Sequence, residues 1–227
     1  LFATGVLGAS LIELAGNEAQ KKELLPSLVA GDLTTAFALE EGNRHAPSDI
    51  KTTAKKAGDG FVLNGNKAFV LDGHSANKII VAARTNGESK DQSGISLFCI
   101  DSETAGMVIN RMSMLDSRNS AEILFSDVKI PSDSLLGELD NGFSIIEEVL
   151  DRAQIGISAE MLGSASQAFE ITLNYLKERK QFGALIGSFQ ALKHRAAIMY
   201  SEIELTKSSV AGALNAVDEN SNDKARY

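Results

Sequence analysis

Apolar and polar positions follow three rhythms along this chain. In residues 1–14 most positions are apolar or small, and Asn17 with Gln20 three places later forms a capping-box start for a second helix. Pro26 interrupts that helix, yet Leu24, Leu25, Leu28 and Val29 recur at helical spacing, which predicts a short helical opening ending near Gly31. From about Thr34 to Gly137 the texture changes to short β-rich runs at 34–39, 52–56, 61–63, 67–71, 78–83, 94–100 and 121–128. Gly58-Asp59-Gly60, Asn64-Gly65, Asp72-Gly73 and Asn86-Gly87 supply turns between them. Such closely spaced strands predict a small antiparallel barrel or sandwich. After Pro131 and Gly137 the rhythm returns to helix, with Asp140 or Asn141 as cap. A long stretch covers 143–180, with Ile145, Ile146, Val149, Ile157, Met161, Leu162, Phe169, Leu173 and Leu176 on one broad face. Gly183 and Gly187 open a loop, and a second long helix is expected over 189–216. Two such helices cannot bury their apolar faces alone and require further helices, from beyond Tyr227 or from another chain.

The expected fold class is therefore α+β: a helical segment at 1–33, a middle antiparallel β-barrel or sandwich domain at 34–138, and part of a C-terminal helical bundle at 139–227. At 227 residues and 44% hydrophobic, the chain can bury a substantial core. Its 22 basic and 30 acidic residues give a formal net charge of −8, so no basic field draws it to nucleic acid or an anionic membrane. The single cysteine, Cys99, excludes an internal disulfide and lies in an apolar run that reads as a buried strand. His45, His74 and His194 are too scattered for a metal-ligand spacing, so no metal is expected. The longest apolar runs fall short of a bilayer's thickness and no charged-then-apolar leader opens the chain, so no membrane span and a cytoplasmic location are expected. The chain starts at Leu1 and stops at Tyr227 within a helical pattern, and both ends read as cuts.

No phosphate loop, nucleophile elbow or zinc signature is present. Four blocks in order carry a more specific message: Gly16-Asn17-Glu18-Ala19-Gln20-Lys21 with Leu25-Pro26; residues 36–49; residues 63–73; and Glu178-Arg179-Lys180-Gln181-Phe182-Gly183 with Phe189-Gln190. Together they span essentially the whole chain, which resembles the acyl-CoA dehydrogenase family. Within it, Arg44-His45 in a lengthened loop before Ser48-Asp49, the Thr52-Thr53-Ala54-Lys55-Lys56 run, and residues 118–122 most resemble the small subunit of pimeloyl-CoA dehydrogenase and its relatives.

The resemblance implies flavin adenine dinucleotide (FAD) between a β domain and a four-helix bundle, α,β-desaturation of an acyl-CoA thioester, and onward transfer of electrons to an electron-transfer flavoprotein. It places Phe37, Leu39 and Glu40, then Phe69, Val70 and Leu71, on two strands beside the isoalloxazine ring. Arg179 matches the arginine that binds the flavin pyrophosphate of a neighbouring subunit, with Gln181, Phe182, Phe189 and Gln190 around it. This implies a homo-oligomer, dimer or tetramer, or a heteromeric dehydrogenase. Ser48 matches a serine on the coenzyme A side of the thioester, Asp151 an aspartate near its adenosine, and Arg44 could meet a second carboxylate on the substrate. Glu40 stands where the family usually has threonine, Leu71 where a hydroxyl commonly faces flavin N5, and Gln154 where an arginine follows the aspartate. The catalytic glutamate is expected beyond Tyr227, since the alternative position in the first long helix is Ala153. A non-catalytic subunit contributing flavin contacts to a heteromeric dehydrogenase is the second expectation.

Overall fold

The computed structural model describes residues 2–116 and 118–219. It divides the chain into two compact units, Leu1–Leu150 and Asp151–Tyr227. In the first unit a π-helical segment, Phe2–Gly8, leads into α1 (Ala9–Ala15), followed by α2 (Glu18–Ala30). The capping box forms as its spacing predicts: Asn17 Oδ1 accepts from the amides of Ala19 and Gln20, and Gln20 Oε1 accepts from Asn17 N–H at 2.9 Å. Gln20 Nε2 also donates to the carbonyls of Asp133 and Leu135, so one side chain starts the helix and fastens it to the sheet. Pro26 does not interrupt α2. Its ring removes a single donor, and the helix ends instead at Gly31 (φ +81°), where the Gly31 and Asp32 amides close onto Leu28 and Ser27.

Eight strands follow: β1 (Thr35–Ala38), β2 (Thr53–Ala57), β3 (Gly60–Leu71), β4 (Lys78–Arg84), β5 (Ile95–Asp101), β6 (Met107–Ser113), β7 (Asn119–Pro131) and β8 (Leu135–Leu136). Their order is β6-β7-β3-β2-β4-β5-β8, with β1 also on β4. The sheet is mixed, because β1 and β2 both run parallel to β4. No pairing joins β6 to β8 among the described residues, so the barrel is not closed. The sheet instead curls over its own core, where Phe61 of β3 meets Phe98 of β5 at 5.0 Å and Ile123 and Phe125 of β7 join Ile79 and Val81 of β4. The other face is covered by Leu11, Ile12 and Leu24 from α1 and α2, and by Phe143, Ile146 and Val149. Burying each such side chain contributes roughly 1.5–3 kcal/mol.

Two strand expectations change. Asn64-Gly65 is not a turn but an irregularity inside the single strand β3. Asn64 exchanges hydrogen bonds with Asp127 across the ladder, and Gly65 (φ +145°) lies where a Cβ would come within 2.6 Å of Thr52 Cα. The second change is β6, which the reading by runs left out. It is an edge strand of alternating exposure, with Met107 and Ile109 turned to the core and Val108 outward.

The two long helices appear as α3 (Phe143–Glu178) and α4 (Gln190–Asp218). In the second unit Phe169, Val210, Ala213 and Ala216 are buried, whereas Met161, Ile171, Ile198 and Leu205 are exposed. Between the helices, β9 (Lys180–Gln181) and β10 (Ala184–Leu185) form a two-residue hairpin.

Candidate functional site

Two of the segments singled out in the sequence come together in the first unit. Ala68 N–H donates to Glu40 O at 2.8 Å, seating the residues just after β1 beside the far end of β3. There the β3–β7 register shifts between Lys67 and Val70, leaving Phe69 outside the ladder at φ +52° with 42% of its surface exposed. A left-handed phenylalanine is strained, and here it opens main chain and ring together. Phe37 and Leu39 turn their side chains into the helix-covered cluster, and Val70 points into the inner core. What those three offer a ligand is main chain. Glu40, Phe69 and Leu71 have partly exposed side chains.

Behind this wall lies a buried ion pair that the sequence reading did not single out. Lys67 is 0% exposed; its Nζ donates to Glu41 Oε1 at 2.7 Å and to Leu39 O at 2.9 Å. Glu41 also accepts from the amides of Lys51 and Thr52, so it ties both ends of the 41–52 segment to the sheet. Burial pushes the Lys67 ammonium down to about 8, against the opposing charge of Glu41. Burial alone would raise the Glu41 carboxyl, but the Lys67 charge and the hydrogen bonds from Lys67 and Thr52 hold it below its ordinary value. The bulge after Lys67 breaks the two-residue alternation that would have marked it as inward-facing.

Arg84, 6% exposed at the end of the apolar run of β4, is the second buried cation. Its guanidinium donates to six carbonyls: Ile50 and Ser48 on one loop, Asn86, Ser89, Asp91 and Ser93 on the next. A basic residue continuing a run of five apolar ones, Ile79 to Ala83, was its only trace in the sequence. Burial lowers it from its usual value, with Asp91, Glu41, Asp49 and Glu88 acting the other way.

The loop between these anchors carries Arg44 and Ser48. Glu40 is clasped by that loop, through His45 Nδ1 at 2.6 Å and Ala46 N–H at 3.1 Å. Exposed Arg44 lines an open concavity of about 530 Å³ with Glu40, Glu41, Asp49 and Lys51 among its other walls. Asp49 Oδ1 is buried there without a hydrogen-bond partner among the described residues.

In the second unit, Arg179 leaves the end of α3 with an exposed guanidinium that makes no hydrogen bond or ion pair among the described residues. The hairpin after it turns on Phe182 (φ +54°) and Gly183 (φ +74°), both left-handed as a tight two-residue turn requires. Phe182 is 94% exposed and meets Phe189 edge-on at 6.3 Å. Gln181 and Gln190 are exposed nearby in sequence, with Gln190 Nε2 3.4 Å from His194 Nε2. Asp151 and Gln154 line a groove of about 600 Å³ between α3 and α4. Ala153 is buried and carries no acid.

The chain thus combines a curled β unit with an opened strand end and a helical unit whose Arg179 guanidinium makes no hydrogen bond or ion pair among the described residues. The acyl-CoA dehydrogenase middle domain matches residues 36–128 and the C-terminal domain of the same family matches residues 140–227. The chain belongs to the acyl-CoA dehydrogenase family. It is 38% identical over 221 residues to a probable acyl-CoA dehydrogenase of Bacillus subtilis, covering 94% of this chain and 57% of that protein. A caffeyl-CoA reductase-Etf complex subunit of Acetobacterium woodii is 33% identical, over 98% of this chain and 59% of its own length. The solved butyryl-CoA dehydrogenase of Megasphaera elsdenii superposes with a TM-score of 0.91 at 35% identity, over 97% of this chain and 58% of that one. The chain thus spans between about half and three-fifths of the length of the relatives it matches. No described helix is long and apolar enough to cross a membrane.

Proposed function

We propose that this chain is the flavin- and thioester-binding part of an FAD-dependent acyl-CoA dehydrogenase that desaturates an acyl-CoA between its α and β carbons. The observation that carries this reading is the pairing of the residues after β1 with the opened end of β3, through Ala68 N–H and Glu40 O. It presents main chain that is out of the ladder, a half-exposed Phe69 and Leu71 to a flat ring. The Arg179 guanidinium, exposed and without a side-chain partner among the described residues, suits two pyrophosphate oxygens at once, and Gln181, Phe182, Phe189 and Gln190 follow it in the same segment. Bound flavin supplies the two-electron acceptor for the hydride that leaves the β carbon. Ser48 offers its hydroxyl on the coenzyme A side of the thioester, and Asp151 its carboxylate to the adenosine. Leu71 donates no hydrogen bond to the cofactor, a loss of roughly 1 kcal/mol that alters reactivity more than retention. The α proton needs a carboxylate base, and Ala153 leaves that role to a glutamate outside residues 1–227.

The electron acceptor is an electron-transfer flavoprotein, a reading supported by the Etf-complex relative, and the protein works as a homo-oligomer or within a heteromer. A cytoplasmic location is in keeping with this reading. The deciding experiment is anaerobic addition of short-, medium- and long-chain acyl-CoA to the full-length flavin-loaded protein. Bleaching of the flavin band supports the dehydrogenase. A loaded protein that none of these thioesters bleaches, alone or with added partner subunits, overturns it.

A second reading, a flavin-contributing subunit without turnover, is favoured by Glu40, both of whose carboxylate oxygens are held by His45 and Ala46. Bleaching by added partner subunits and not by the chain alone marks that case. A dicarboxylic preference through Arg44 predicts that Arg44→Ala weakens dicarboxylic thioesters more than monocarboxylic ones; equal losses refute it.

A further inference from the structure

The structure assigns to Arg84 the role of positioning residue for the thioester-binding segment: its guanidinium fixes Ser48 by locking the 48–50 backbone to the 86–93 loop. This rests on the proposed contact between Ser48 and the thioester. The geometry itself does not. One face of the fork donates to Ile50 O at 3.1 Å and Ser48 O at 3.0 Å. The rest reaches Ser93 O at 2.8 Å, Asp91 O at 2.9 Å, Ser89 O at 3.1 Å and Asn86 O at 3.3 Å. The two loops are also joined directly, Ile50 N–H donating to Ser89 O at 2.8 Å. The far loop has its own foundation: Asp91 Oδ2 accepts from Glu88 N–H, and Thr85 Oγ1 bridges Ser96 and Asp140.

A planar guanidinium with five N–H groups can hold two strands of carbonyls apart at a fixed spacing, which a lysine's point charge cannot. A buried cation spent on loop carbonyls, with no carboxylate in direct contact among the described residues, is a device for shape. The loop it fixes is the one that carries Ser48. The neighbouring Glu41–Lys67 pair holds the same segment at Lys51 and Thr52, so Ser48 lies between two buried anchors.

The test is calorimetric titration of the full-length flavin-loaded protein with crotonyl-coenzyme A, an enoyl thioester that oxidised flavin cannot desaturate further. Arg84→Lys should weaken binding about 3- to 4-fold, and Ser48→Ala about 5-fold, in proteins whose flavin content is unchanged. In the Ser48→Ala background Arg84→Lys should cost less than about 2-fold more, since both act through one contact. Asp91→Ala changes an exposed side chain and loosens the same loop, so it should weaken binding about 2- to 3-fold in that same non-additive way, and it serves where Arg84→Lys does not fold. A Ser48→Ala protein that binds as tightly as its parent would remove the reading of Ser48, and this inference with it. Ser48→Ala weakening with Arg84→Lys and Asp91→Ala silent or fully additive would overturn the role of Arg84 alone.

Discussion

The two units solve the burial problem to different degrees. In the first, the sheet curls over Phe61, Phe98 and Phe125 while α1, α2 and the start of α3 close its other face, and side chains such as Leu63, Ile80 and Leu97 reach 0% exposure. In the second, α3 and α4 bury Phe169, Val210 and Ala213 but leave Met161 at 63% and Leu205 at 67% exposed. The first unit holds buried charge, because Lys67 donates to Glu41 and Leu39 O and Arg84 donates to six carbonyls inside it. The second carries Arg179 on its exposed surface. One unit thus covers both faces of its sheet while the other leaves apolar helix faces exposed, and the two should answer differently to substitution.

The largest effect should come from Lys67→Met, which leaves Glu41 buried without its partner: a loss of about 3–5 kcal/mol in urea unfolding, against no measurable loss for Arg179→Ala. Equal losses would erase the contrast. Phe98→Ala, which empties the space beside Phe61, should follow at about 3–4 kcal/mol.

The same pair gives the first unit a pH signature. The Glu41 carboxyl lies below its ordinary 4.5, so its contribution is present above that value and is lost as acidification passes its folded pKa. Lys67 releases its proton near 8 in the folded chain but near 10.5 when unfolded, so between those values this group makes stability rise with pH. Urea midpoints across pH, in parent and Lys67→Met, should show both trends only in the parent. The smallest effect belongs to Leu205→Gln on the exposed face of α4, within about 0.5 kcal/mol. A loss as large as that of Phe98→Ala would mean that this face is covered.

Helices and most strands were legible in the sequence because their periods are strong. Asn17 and Gln20 told where α2 begins, and the apolar face from Ile145 onward told the length of α3. The open curl of the sheet was not legible, since the parallel pairing of β1 on β4 is a long-range choice that no local run encodes. β6 was hidden because an edge strand with Val108 outward and Met107 half-buried has little apolar contrast, and Asn64-Gly65 reads as a turn when only its cross-strand partner, Asp127, makes it a bulge. At the candidate site, the blocks around Phe69 and Arg179 were found through their wording. The first unit's anchors, Lys67 and Arg84, were missed because a buried cation differs from a solvated one only in its surroundings.

The central claim is that this chain carries a flavin platform whose cationic element is Arg179. The direct measurement is the visible absorbance of the full-length protein after loading with FAD and desalting, beside its Arg179→Ala variant. The account predicts a retained flavin band in the parent, lost or reduced at least about 10-fold in the variant, with urea unfolding unchanged. A parent that keeps no flavin, or a variant that keeps as much as its parent, would contradict it.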